Sequence, residues 1–142
     1  MGKRAHTIFA VAVIALLIFG AFSFYRAITP RIVARAVAPD GTEMCIVQWF
    51  NWSPELFTTR FVYRKPGGPW GMFYFDHQDS FWKSSRVSID PAAQVAEFDR
   101  DGAPAITFEW ASETYTMHRW KRTMTGPQWT LPASWSPPMP PP

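Results

Sequence analysis

A single cysteine, Cys45, occurs in the 142 residues, so no internal disulfide can staple this fold. It lies twenty residues beyond Tyr25, too far from the apolar N-terminal run to serve as a lipid-attachment thiol. Its neighbours Met44, Ile46 and Val47 predict a buried thiol in a strand. Clustered positive charge is also missing. The pI is near 9.3, yet from Arg26 onward 12 Lys and Arg face 11 Asp and Glu, and no basic run exceeds Lys121-Arg122. Nucleic-acid binding needs a concentrated basic face, so that class is set aside.

The signatures of catalysis are equally sparse. No Gly-x-Ser-x-Gly elbow is present, and Pro66-Gly67-Gly68-Pro69 lacks the lysine-serine pair and helix of a phosphate loop. The densest polar stretch is Asp76-His77-Gln78-Asp79-Ser80, where Ser80 beside His77 is adjacency without a base and an oxyanion hole. Cys45, His77 and His118 make a formal metal-ligand set, but nothing in their spacing draws them together. Asp99/Asp101 flank a hairpin turn and Glu109/Glu113 span a strand end, which reads as solvated carboxylates rather than a glycosidase dyad. Asn51-Trp52-Ser53 matches a glycosylation sequon with Pro54 directly after it. No catalytic, metal or cofactor residue is therefore assigned, and an enzyme is not expected; a small hydrolase or metal protein is the least favoured alternative.

What the chain does have begins at its N-terminus. After Lys3 and Arg4, residues 7–25 carry no charge, and Ile8, Val11, Leu16, Leu17, Phe24 and Tyr25 belong to an apolar face that continues all round the helix. Nineteen residues at 1.5 Å each span about the 30 Å of a bilayer's hydrocarbon. Ala21-Phe22-Ser23 is a poor cleavage site, and Phe24-Tyr25 resembles an interfacial aromatic belt. The reading is a retained single-pass anchor (residues 1–26, a signal-anchor), with the N-terminus cytoplasmic and the rest extracytoplasmic, periplasmic in a bacterium.

Aromatic residues are abundant: 8 Trp, 12 Phe and 4 Tyr. Twenty of these 24 lie beyond residue 24, so the anchor does not account for them. Large rings let a small β domain build its core from few residues. Helical periodicity nearly vanishes after residue 26, apart from a turn or two at 91–97, and no long repeat is visible. Instead, short β-like runs alternate with turn signals. Ala38-Pro39-Asp40-Gly41 separates 32–37 from 42–50. Phe57, Thr59, Phe61 and Tyr63 then alternate with Thr58, Arg60, Val62 and Arg64. Pro66–Pro69 leads to 71–75, and 82–90 and 94–99 follow. Arg100-Asp101-Gly102 marks a hairpin before Ile106, Phe108 and Trp110, and 114–121 is the last run. About eight strands in residues 27–122 predict an antiparallel β-sandwich or barrel-like meander.

From residue 123 the composition shifts, with seven of the fourteen prolines in the last sixteen positions. The proline-rich tail, 123–142, is expected to stay out of any sheet ladder and to be extended. Trp129, Leu131, Trp135 and Met139 recur about every four residues, which suits docking onto the domain itself or onto a partner. Trp52, Trp70, Trp82, Trp129 and Trp135 are the candidate interaction residues. The expected function is a non-catalytic accessory subunit contacting membrane lipid and a membrane-protein partner. A module stacking glycan on Trp52, Trp70 and Trp82 is the alternative.

Overall fold

The computed structural model describes residues 3–50, 57–78 and 85–139. The charge-free run forms α1, Lys3–Ile28, roughly 39 Å long at helical rise. It stops at Thr29, whose amide and hydroxyl both donate to the Tyr25 carbonyl, at 3.1 and 2.7 Å. Pro30 follows, and its ring cannot continue the helix.

Ten strands follow among the described residues, in two antiparallel sheets of five that form a β-sandwich. The first sheet holds β1 (Arg31–Val37), β2 (Glu43–Phe50), β3 (Phe57–Arg64) and β4 (Gly71–Gln78) in chain order, with β10 (Trp129–Thr130) added beside β4. The second is a simple meander of β5 (Val87–Asp90), β6 (Val95–Arg100), β7 (Ala103–Glu109), β8 (Thr114–Met117) and β9 (Arg122–Thr125). The antiparallel sandwich class agrees with the sequence reading. Two strands exceed the expected eight, and both lie at the proline-rich end.

Local chemistry sets the turns. At the β1–β2 hairpin, Asp40 accepts the Thr42 amide at 2.8 Å, and Gly41 has φ +86° with Pro66 close enough to crowd any side chain. At the β6–β7 hairpin, Asp101 and Gly102 have φ of +54° and +83° between the paired residues Arg100 and Ala103. Two consecutive positive φ values are the geometry whose twist matches the flanking strands. Residues 91–94 form a turn rather than a helix, and β6 starts at Val95.

Alternation places Met44, Ile46, Phe61, Tyr63 and Phe73 of the first sheet against Phe98, Ile106, Phe108, Tyr115 and Met117 of the second. Phe61 is at the centre, with ring centroids of Phe108, Tyr115 and Phe98 at 5.0, 5.2 and 5.4 Å. Tyr115 also stacks on Phe73 at 4.7 Å and 9°. Rings therefore fill the space between the sheets, as the aromatic excess implies.

The outer face of the first sheet is covered as well. Cys45, Val47, Val62, Trp70 and Met72 pack under Leu131 and Trp135 of the C-terminal segment. The expectation that this segment stays out of a ladder is corrected: Trp129 and Thr130 pair with Met72 and Gly71, and Thr123 and Thr125 pair with Thr116 and Thr114. The prolines explain how this is possible. Pro127 and Pro132 flank the two-residue strand β10 without falling inside it, and β10 sits at an edge where a ladder can be short.

The sandwich has two distinguishable ends. β1 begins three residues after α1, so Arg31, Gln48 and Thr59 mark the helix-proximal end. There Gln48, fully buried, donates to Thr59 at 3.0 Å and accepts from Arg31 at 2.9 Å. The opposite, distal end is shared by both sheets, because the Tyr63 hydroxyl of β3 donates to Glu113 in the β7–β8 turn.

Candidate functional site

Three regions carry the residues singled out from sequence. The first is α1. Ile8, Val11, Leu16, Leu17, Phe24 and Tyr25 are all exposed, and none of the Ile8–Tyr25 span is buried against the rest of the chain. The helix is long and apolar enough to cross a membrane.

The second is the strap formed by residues 127–139 over the outer face of the first sheet. Trp70 and Trp135 are both buried, and they meet each other. The Trp135 indole N–H donates to the Met139 carbonyl at 3.1 Å, which closes the end of the strap. Two of the strap's amides bond to the sheet: Gln128 donates to Met72 and Leu131 to Trp70, at 3.0 and 2.8 Å. Trp129 is the ring of this group that faces outward, at 47% exposure. Trp52 and Trp82 lie outside the described residues, as does the sequon at 51–53. Of the five candidate interaction rings, the structure thus brings two together in a private contact and leaves one on the surface.

The same strap explains Cys45. Its thiol is fully buried, and burial pushes its pKa from an ordinary 9.0 up to about 12. A protonated, enclosed thiol is a poor nucleophile at neutral pH. Cys45 faces the strap, away from the second sheet that leads into His118, so these two cannot share an ion. His118 is exposed and lies 2.6 Å from the Thr107 hydroxyl through Nε2. Among the described residues, no group of three His, Cys, Asp or Glu converges as a metal site would require. The Asp79 and Ser80 of the polar stretch lie outside the described residues.

The third region is a distal groove of about 230 Å³ lined by Tyr63, Lys65, Trp70, Glu113 and Pro127. Its polar groups satisfy one another. Glu113 accepts from Tyr63 and pairs with Lys65 at 2.7 Å. The Lys65 ammonium first, and the Tyr63 hydroxyl second, hold the Glu113 carboxyl below its usual range. Burial first, and the adjacent carboxylate second, push the Tyr63 phenol up. An ionised carboxylate beside a protonated phenol is a clasp between the sheets. Glu43 repeats the device within the first sheet, bridging Arg35 at 2.7 Å and Arg64.

No protein-family model, curated protein or solved structure matches this chain.

Sequence reading missed one surface. It extends the last strand to Lys121, whereas β8 ends at Met117 and residues 118–121 form a turn. Trp120 stands exposed there, with the Arg119 guanidinium 5.0 Å from its ring centre. The signal was the Arg119-Trp120-Lys121-Arg122 run itself, since three cations and an indole suit a hairpin tip better than a half-buried strand.

Proposed function

We propose that this chain is a non-catalytic, single-pass membrane protein that acts as an accessory subunit of a larger membrane complex. One observation carries the reading: the whole Ile8–Tyr25 span is uncovered by its own chain. An apolar surface of that size needs lipid or other helices as its surroundings. Ala10, Ala12, Ala15, Gly20 and Ala21 supply small side chains that let a neighbouring helix approach closely. The basic Lys3 and Arg4 favour a cytoplasmic N-terminus, with the sandwich on the extracytoplasmic side, periplasmic in a bacterial host.

The sandwich supports the same reading. Among the described residues, its interior is filled by its own rings, Glu43 and Glu113 are paired with neighbouring cations, and the outer face of the first sheet is covered by the strap. Such a body offers a stable shape rather than a reactive cleft. The glycan-stacking alternative gains less support. Trp70 is buried, and among the described residues the exposed indoles Trp129 and Trp120 lie on different sheets toward opposite ends, so these two do not form the row that a sugar chain needs.

The test is extraction of tagged protein in mild detergent followed by native mass analysis. Stable co-purifying membrane subunits, lost when Ala12 and Ala15 are replaced by leucine, are expected. A clean monomer under every mild detergent would overturn the proposal.

A further inference from the structure

Among the described residues, the charges of the second sheet are sorted by end. Asp40, Asp90, Glu109 and Glu113 occupy the distal turns and strand ends, where Arg35, Arg64 and Lys65 are held in the pairs with Glu43 and Glu113. The second sheet's helix-proximal end is cationic, with Arg86 just before β5 and Arg119, Lys121 and Arg122 at the β8–β9 hairpin. Two carboxylates of the second sheet share this end: Asp99 accepts the Arg86 amide at 2.5 Å, and the exposed Asp101 lies 3.7 Å from Arg100. The hairpin tip itself contains no carboxylate.

Trp120 sits at that tip, 54% exposed, with Arg119 against its face. The turn is tight, since Lys121 has φ +48° and donates to the His118 carbonyl at 3.3 Å. Beside it, between the β6–β7 and β8–β9 hairpins, is a groove of about 200 Å³. Arg100 and Arg119 line it together with Trp120, Pro104 and Met117. Two guanidiniums beside apolar side chains match an amphiphile whose phosphate adjoins hydrocarbon. An exposed indole ringed by cations matches the membrane interface, where Trp is enriched and anionic lipid attracts Lys and Arg.

Reach decides the occupant. The first sheet starts three residues from the end of α1, at most about 10 Å of chain. Sheets in a sandwich pack about 10 Å apart. The tip of the second sheet therefore falls within one domain width of the surface from which the helix emerges. We propose that the hairpin tip Arg119-Trp120-Lys121-Arg122 docks on anionic phospholipid headgroups of the membrane that holds α1, with the Arg100/Arg119 groove taking a lipid phosphate. This rests on the anchored reading above. It adds a second attachment that fixes the sandwich upright, so that the acidic distal end faces away from the bilayer.

The experiment uses the full chain in vesicles whose phosphatidylcholine carries brominated acyl chains, with or without phosphatidylglycerol. Since α1 contains no tryptophan, all indole emission comes from the exported part. Quenching should be stronger when phosphatidylglycerol is present. Trp120→Phe should remove that extra quenching, and so should the joint change of Arg119, Lys121 and Arg122 to glutamine; high salt should weaken it in the parent chain. Both variants alter exposed side chains, and an unchanged circular dichroism spectrum verifies their folding. Vesicles that float with the chain but show equal quenching with both lipids, unaffected by Trp120→Phe, overturn the docking and leave the anchor standing. A chain that does not float with vesicles overturns the anchor, and the docking with it.

Discussion

Trp70 and Trp135, sixty-five residues apart in sequence, meet edge to face with ring centroids 5.6 Å apart and planes at 80°. This contact pins the C-terminal strap over Cys45, Val47 and Val62. Replacing Trp135 with alanine removes a large buried ring, a change that costs about 3 kcal/mol or more in a packed site. Only the strap depends on that ring, so the sandwich should persist while the strap opens. Cys45 is the reporter. Its pKa of about 12 against an ordinary 9.0 corresponds to a thiolate fraction smaller by on the order of a thousandfold. Trp135→Ala should make Cys45 react rapidly with a maleimide at mildly alkaline pH, without loss of the far-ultraviolet β signal. A thiol that stays inert would show that the strap is held elsewhere.

Gly71 lies where three segments converge. A methyl group there would come within 2.8 Å of the Tyr63 ring and 2.9 Å of Pro127. The first contact presses on the sheet interior, and the second presses on the strand-linking turn before β10. Neither partner is the free end of a flexible chain. Gly71→Ala should therefore destabilise by about 1–3 kcal/mol, the usual cost of overpacking. A shifted urea midpoint with an unchanged slope is the expected reading. An unaltered midpoint would mean that the strap yields without cost.

The pH response follows from two carboxylates. Hydrogen bonds from Arg64 and then Arg35 hold Glu43 below its ordinary value of 4.5, and Lys65 and then Tyr63 do the same for Glu113. A carboxyl whose folded pKa is depressed binds its proton less readily in the native state. The stability it contributes is fully present above the unfolded value near 4.5 and is lost as pH falls through the depressed one. Thermal midpoints should thus be flat through the neutral range and drop below about pH 4.5. Glu43→Gln and Glu113→Gln should each cost about 1 kcal/mol at pH 7, in keeping with partly exposed pairs. Each should also flatten the acid limb of the profile. A variant with the parental acid limb would refute the role assigned to its carboxylate.

Much of the fold was legible because its signals are local. Period-two alternation through Phe57–Arg64 and the Asp-Gly turns at 40–41 and 101–102 identify hairpins without reference to distant residues, and the charge-free N-terminal run identifies α1 in the same way. The strap was not legible, because its strand is two residues long and exists only through pairing with Gly71 and Met72. Proline content argued against any ladder there, and it misled because the prolines flank the paired residues. The burial of Trp70 and Trp135 was not legible for a related reason. An indole's sequence context does not reveal which sheet face will be covered, and Trp70 became a core residue only once Trp135 arrived. The Arg119–Arg122 tip was obscured by a misplaced strand end, although its residue types were in plain view.

Phe61 and Val62 are neighbours that point to opposite faces of β3, and they separate the two cores. Phe61 is surrounded by Phe73, Phe98, Phe108 and Tyr115, with centroids between 5.0 and 6.2 Å. Three of those four rings come from the second sheet, so Phe61 joins the two sheets. Val62 is equally buried but packs under the strap. Phe61→Ala should cost about 3–5 kcal/mol and lower the global unfolding midpoint. Val62→Ala removes two methyl groups, about 2 kcal/mol with its cavity, and that loss should appear first as strap opening. The discriminating measurement is amide exchange. Phe61→Ala should accelerate exchange across both sheets together, because it lowers the global free energy of unfolding. Val62→Ala should raise exchange mainly at Leu131 and Trp135, whose amides are bonded to Trp70 and Pro132. If both substitutions loosened the same set of amides, the strap would be an integral part of the sandwich rather than a separately opening cover.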